Sequence, residues 1–233
     1  MSTSLLTIVS DIKIFLLNGI QSFPLTMAGT MLILGFITAN YAMLFFLLGL
    51  LVIAPLIAFP FNYILSSYVP PSSDVCNLVM DFDMSILTGT SSPGTGTFLP
   101  YWIVMTSFFL GYMFTNALDI FSMAPASPDS DPAATQKTNL RQSQTVIGMA
   151  MIALILLVLM GFRFFYSGCD ANGGLSVTGA VLGLIGGSAL GAGWYKTLSG
   201  TGQGRLADVF GIANRLMAPS SLKDNPVGCV PVS

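Results

Sequence analysis

Apolar and polar positions divide this chain into long apolar runs separated by polar connections. Near its start, Leu5, Ile8, Val9, Ile12, Phe15, Leu16 and Ile20 recur at helical spacing, with Ser4, Thr7, Asp11 and Asn18 between them. This spacing predicts an amphipathic helix over 1–22, lying at a membrane surface or leading into a first span. The segment lacks the basic start of a secretory signal, and Asp11 and Lys13 interrupt its apolar stretch. From Pro24 to Ile64 the chain is almost wholly apolar. As one helix that run would extend about 60 Å, twice the hydrocarbon thickness, so it must fold back. The polar break Thr38-Ala39-Asn40-Tyr41 places a tight hairpin there, between spans over about 20–38 and 42–65. A re-entrant 24–40 segment would instead leave four spans in place of five. Pro55 and Pro60 remove helical hydrogen bonds and predict kinks in the second span.

Residues 67–97, rich in Ser, Pro, Gly and Thr, read as a polar connection. A third span follows over about 99–118, opening with Pro100 and the Tyr101-Trp102 pair expected at a membrane interface. Residues 122–143, with Pro125, Pro128 and Pro132, read as a second polar connection. A fourth span is predicted over about 145–165 and a fifth over about 175–195. The tail passes through Ser199 to Gly204 into a short helix over 206–217, with Leu206, Val209, Phe210, Ala213 and Leu216 on one face. That helix would lie on the membrane surface or dock on a partner. The prediction is an all-α polytopic bundle: an amphipathic helix over 1–22, spans within 23–197, and a juxtamembrane tail over 198–233.

Composition points the same way. With 53% hydrophobic and 8% charged residues, and a mean hydropathy of +0.78, the chain cannot cover a water-facing surface. The six basic residues Lys137, Arg141, Lys196, Arg205, Arg215 and Lys223 fall on one side of a five-span layout, against Lys13 and Arg163 on the other. The positive-inside rule then puts the C-terminus on the cytoplasmic side, and the 67–97 and 168–174 connections on the opposite side. A net charge of −2 gives no electrostatic reason to expect nucleic acid as a partner.

The chain has no His and no Glu. Their absence removes the Ser-His-Asp triad, the Cys-His pair, the zincin motif, an imidazole haem ligand and a glutamate acid/base. The expectation is therefore no catalytic residue, no cofactor and no metal. Asp119, Arg163 and Lys196 sit near predicted span ends, where snorkelling accommodates them. Thr106, Ser107, Thr115 and Asn116 put polar groups inside the third span, where interhelical or backbone bonding is expected.

The strongest local pattern lies in the fifth span. Gly179, Gly183, Gly187 and Gly191 recur every four residues, which sets three overlapping small-xxx-small steps on one face. Such a stripe lets a neighbouring helix approach nearly to backbone contact, inside the bundle or between protomers. Cys76 and Cys169 fall on the same non-cytoplasmic side and form a candidate disulfide, while Cys229 lies in the tail. Asp74, Asp81 and Asp83 read as solvated loop charges, because their spacing falls short of a calcium loop. Gly200, Gly202 and Gly204 lack the preceding strand and following Lys of a phosphate cradle, and read as a flexible exit from the membrane.

The tail from Arg205 to Met217 (Arg-Leu-Ala-Asp-Val-Phe-Gly-Ile-Ala-Asn-Arg-Leu-Met), followed by Ala-Pro-Ser-Ser and a late Cys229, resembles predicted membrane proteins of large double-stranded DNA viruses of algae. The apolar double span closed by Thr38 to Tyr41 resembles them too. Such viruses hold an internal membrane beneath an icosahedral capsid. The resemblance thus implies a virion membrane or minor capsid role, with capsid or other membrane proteins as partners. It covers about a third of the chain, and no residue role carries over from it. The expected function is a membrane structural and interaction protein, partnered by the lipid bilayer, by such proteins and by copies of itself. A small oligomeric channel, holin-like or transport protein is the alternative.

Overall fold

The computed structural model describes residues 10–12, 15, 19–20, 22–65, 98–122, 132–166, 177–201 and 206–209. Five helices organise these residues: α1 (Phe23–Ile37), α2 (Tyr41–Leu65), α3 (Tyr101–Ser122), α4 (Pro132–Tyr166) and α5 (Val177–Gly200). No strand occurs among the described residues, and the fold is all-α. Four of the helices, α2, α3, the Asn139–Arg163 part of α4, and α5, are long and apolar enough to cross a membrane. The chain is a multi-pass integral membrane protein. Its surface agrees: Leu157 is 69% exposed and Ile147 60%, while Thr106 and Ser107 are fully buried. Apolar side chains outside and polar ones inside suit lipid as the solvent.

The first predicted span is shorter than expected. Helix α1 has 15 residues, about 22 Å of rise, which falls short of the roughly 30 Å hydrocarbon layer. Pro24 fits its first turn, where a missing N–H costs nothing. Its other end closes as expected, in a hairpin at Thr38–Asn40. The Asn40 N–H bonds back to Gly35 O at 2.9 Å with Ala39 at φ 50°, a left-handed helix cap. Asn40 then caps α2 by accepting the Ala42 N–H at 3.1 Å. Ala39 carries the Cβ penalty of that conformation, about 1–2 kcal/mol, which glycine avoids at some cost in chain entropy. Ala39→Gly is therefore expected to stabilise the protein by about 0.5 kcal/mol or more, read as a rise in the thermal midpoint in detergent. An unchanged or lowered midpoint would contradict this account of the turn.

Helix α2 changes helix type midway. Gly49–Ile53 is a π-helical turn, and the Ala54 N–H reaches back to Gly49 O. The widened turn sits just before Pro55, whose ring would otherwise press on the carbonyl four residues earlier. Pro60 lies inside the following α-helical stretch, Ala54–Leu65.

Helix α4 departs most from expectation. It begins at Pro132 and runs 35 residues, so 132–143 is helix rather than the polar connection read from composition. Ala133, Ala134, Gln136, Lys137, Leu140 and Arg141 all favour helix, and Pro132 fits the first turn. Polar residues end the apolar span there without ending the helix.

Helix α3 stands at the centre. Its side chains from Trp102 to Phe108 are all buried, and α1, α2, α4 and α5 pack around it. Side-chain pairings set the directions. Phe46 meets Tyr112 and Asn62 meets Leu99, so α2 runs antiparallel to α3. Gly183 lies by Ile103 and Tyr195 by Tyr112, so α5 runs parallel to α3. Helix α4 packs on α3, with Arg163 beside Trp102.

Candidate functional site

The seam between α3 and α5 is the most extensive helix contact among the described residues. Gly179, Gly183, Gly187 and Gly191 are all buried on the α5 side of this seam or at its start. A Cβ on Gly187 would stand 2.5 Å from Val104 O, and one on Gly191 would stand 2.9 Å from both Phe108 C and Tyr112 N. Those are backbone atoms that cannot swing aside. A Cβ on Gly183 would make ordinary contacts at 3.5 Å with Ile103 and Val104. The stripe thus grades from loose to tight along the helix, a difference that four-residue spacing does not reveal. The seam lies within one chain.

The facing helix contributes its own small residues. A Cβ on Gly111 would stand 2.8 Å from Ser188 C. Ser107, Gly111 and Thr115 recur every four residues, the same small-residue spacing as in α5, and that pattern was available in the sequence. Ser107 Oγ lies 3.1 Å from Gly183 O across the seam and 2.5 Å from Ile103 O in its own helix. Thr115 donates to Gly111 O at 2.8 Å. Asn116 is buried, and Thr106 Oγ1 is buried with no hydrogen-bond partner among the described residues.

Of the charged residues near span ends, Arg163 departs from the snorkelling reading. Asp119 and Lys196 pair with each other across the far end of the seam. Arg163 is 1% exposed, and its guanidinium lies over the Trp102 ring, 5.4 Å from the centroid. It is held between α3 and α4 by cation–π attraction, so the aromatic face replaces water as its neighbour. A residue near a span end need not reach the interface when a ring stands beside it.

Side chains that donate to backbone carbonyls tie the two halves of the chain together. Trp102 Nε1 donates to Ile20 O at 3.0 Å, and Trp194 Nε1 to Phe45 O at 3.0 Å. Asn62 accepts the Leu99 N–H at 2.6 Å and lies 3.3 Å from Leu99 O. Gly49, in the π turn, sits under the Trp194 ring, and a Cβ there would also stand 2.8 Å from Phe108 Cζ. Nothing in the local sequence marks these pairs, because each joins residues far apart in the chain.

The tail folds back on the bundle. Leu206–Val209 is a tight turn where an α-helix over 206–217 was expected; residues 210–217 lie outside the described ones. Ala207 and Val209 are buried in the core. Tyr112 Oη donates to Ala207 O at 2.8 Å, and Asn40 Nδ2 to Val209 O at 3.2 Å. Val209, one of the apolar residues that suggested a helical face, serves as a core anchor together with Ala207. Cys76, Cys169 and Cys229, the aspartates at 74, 81 and 83, and Gly202 and Gly204 lie outside the described residues, as does most of the 1–22 helix. Among the described residues no three His, Cys, Asp or Glu side chains gather as a metal site would require. A scan against known protein families matches none, and searches of curated proteins and of solved structures find no similar chain.

Proposed function

We propose that this chain is a structural and interaction protein of a membrane, with no reaction of its own. One observation carries the reading: polar side chains within the spans bond mainly to helix backbone and close the bundle. Ser107, Asn62, Trp102, Trp194 and Tyr112 all direct polar atoms to main-chain carbonyls, each on another segment. Such bonds hold helices at fixed spacing, which suits a scaffold that presents its connections and tail to partners beside the bilayer.

The proposal extends to location. The resemblance of the tail and of the double span supports a virion internal membrane, with capsid or scaffold proteins as partners and the basic C-terminal side facing the interior of the host cell during assembly. Self-association belongs to the same proposal. The channel alternative needs a polar stripe lining water through a span, and the small residues of α3 and α5 are spent on each other.

The test has two arms. Detergent-solubilised particles, probed with antibody to this chain, are expected to yield it together with capsid proteins. The purified chain in phosphatidylcholine vesicles is expected to leave an entrapped dye inside. Dye release at a rate that follows protein concentration would overturn the structural reading in favour of a pore. Recovery free of any capsid protein would remove the virion part of it.

A further inference from the structure

We propose that residues 206–209 form a releasable latch, which fastens the α1–α2 hairpin to α3 and lets go without unfolding the bundle. Helix α5 ends at Gly200, yet Ala207, Asp208 and Val209 are buried again, against helices that lie far earlier in the chain. Two side chains hold them there. Tyr112 Oη of α3 donates to Ala207 O at 2.8 Å, and Asn40 Nδ2 of the hairpin donates to Val209 O at 3.2 Å.

Asn40 couples the tail to the hairpin. Its Oδ1 accepts the Ala42 N–H and so caps α2, while its Nδ2 holds the tail. Turning the amide over would set N–H against N–H and oxygen against oxygen, so a single orientation serves both bonds. A docked tail therefore favours the orientation that caps α2, and by linkage the cap favours docking equally. The grip is weak enough to release. Each neutral hydrogen bond shifts such an equilibrium by only about fivefold. The buried apolar side chains of the segment, Ala207 and Val209, are small, and docking strips most of the water from the Asp208 carboxylate, which works against it. The α3–α5 seam closes through Gly111, Gly187 and Gly191 without the tail, so it stays shut when the latch opens. Local opening of this kind belongs to the low end of the stability range within a fold. The latch goes beyond the scaffold reading; a partner that takes up the tail, as that reading has it, acts on the hairpin as well.

The test uses the full chain in detergent, with Cys76, Cys169 and Cys229 replaced by Ser and Val209→Cys as a buried reporter of similar size. Its reaction with N-ethylmaleimide is compared with that of the same thiol in SDS, and hydrogen exchange is followed by mass spectrometry. The reporter is expected to react slowly but completely while the amides of α3 remain protected. Tyr112→Phe, which keeps the ring against Phe46 and Tyr195, should speed labelling about fivefold. Asn40→Asp, which keeps the cap oxygen but sets a second oxygen toward Val209 O, should speed it further. Deleting residues 206–233 should speed hydrogen exchange over 38–46 and leave Asn139–Arg163 unchanged. Labelling as fast as in SDS, labelling only once α3 has exchanged, or equal rates in the parent and both variants would overturn the latch. Unchanged exchange over 38–46 after the deletion would overturn its coupling to the hairpin. No partner enters these measurements, so the latch and the scaffold reading can fail separately.

Discussion

Gly191→Ala is expected to cost the fold about 3 kcal/mol, the upper part of the range for overpacking, even though alanine is the better helix former. The added methyl would stand 2.9 Å from Phe108 C and from Tyr112 N, both of them backbone atoms of α3. Relief requires the two helices to separate, and that removes close contact along the whole seam. Between spans in lipid, association rests on close packing and interhelical hydrogen bonds more than on exclusion of water. The propensity gain of about 1 kcal/mol cannot offset this loss. The same helix provides its own control. A Cβ on Gly193 meets nothing within 4 Å, so Gly193→Ala should be neutral or stabilising by up to about 1 kcal/mol. Gly187→Leu, which would drive four carbons into the Val104 backbone, should yield no monodisperse protein. Thermal midpoints in detergent decide the matter: equal values for Gly191→Ala and Gly193→Ala would show that the seam is not tight.

Trp102→Ala should destabilise by about 3 kcal/mol, the low end of the range for a buried tryptophan. The low end applies because the transfer term weakens when the unfolded reference also lies in lipid, leaving the cavity and the lost bonds. Trp102 is fully buried, donates to Ile20 O at 3.0 Å, and supplies the ring over which Arg163 lies. Its removal breaks a tie to the N-terminal segment and takes the aromatic face from a guanidinium that is 1% exposed. Trp102→Phe keeps a ring and most of the volume but loses the N–H, so it should recover more than half of the loss. Paired measurements with Arg163→Met separate the two roles. If Trp102→Ala costs the same in the Arg163→Met background, the cation–π contact contributes nothing and the loss is packing alone.

Much of the architecture was legible from local pattern. The hairpin at Thr38–Asn40 was readable because a polar break in a 40-residue apolar run has few other meanings in a membrane. The spans of α2, α3 and α5 were readable from their apolar length. Where the reading failed, the reason was specific. Composition marks where the membrane ends, and α4 continues as helix through polar residues beyond that point. The apolar positions of 206–209 fit a helical face equally well as anchors of a turn, and burial of Ala207 and Val209 chose the turn. The α1 segment looked long enough to span, but its helix has only 15 residues.

By itself, the sequence determined the solvent and the fold class: apolar runs of span length with 8% charge can be satisfied only by helices in lipid. It also marked the glycine face of α5, since a period of four survives in any straight helix. Only the tertiary structure decided which helix meets that face, which glycines are tight, where Arg163 goes, and that the tail returns to Tyr112 and Asn40. The physical reason is range. Hydropathy and helical period are properties of neighbouring residues, whereas a seam or a ring over a guanidinium arises from residues dozens of positions apart, whose proximity exists only once the bundle has packed.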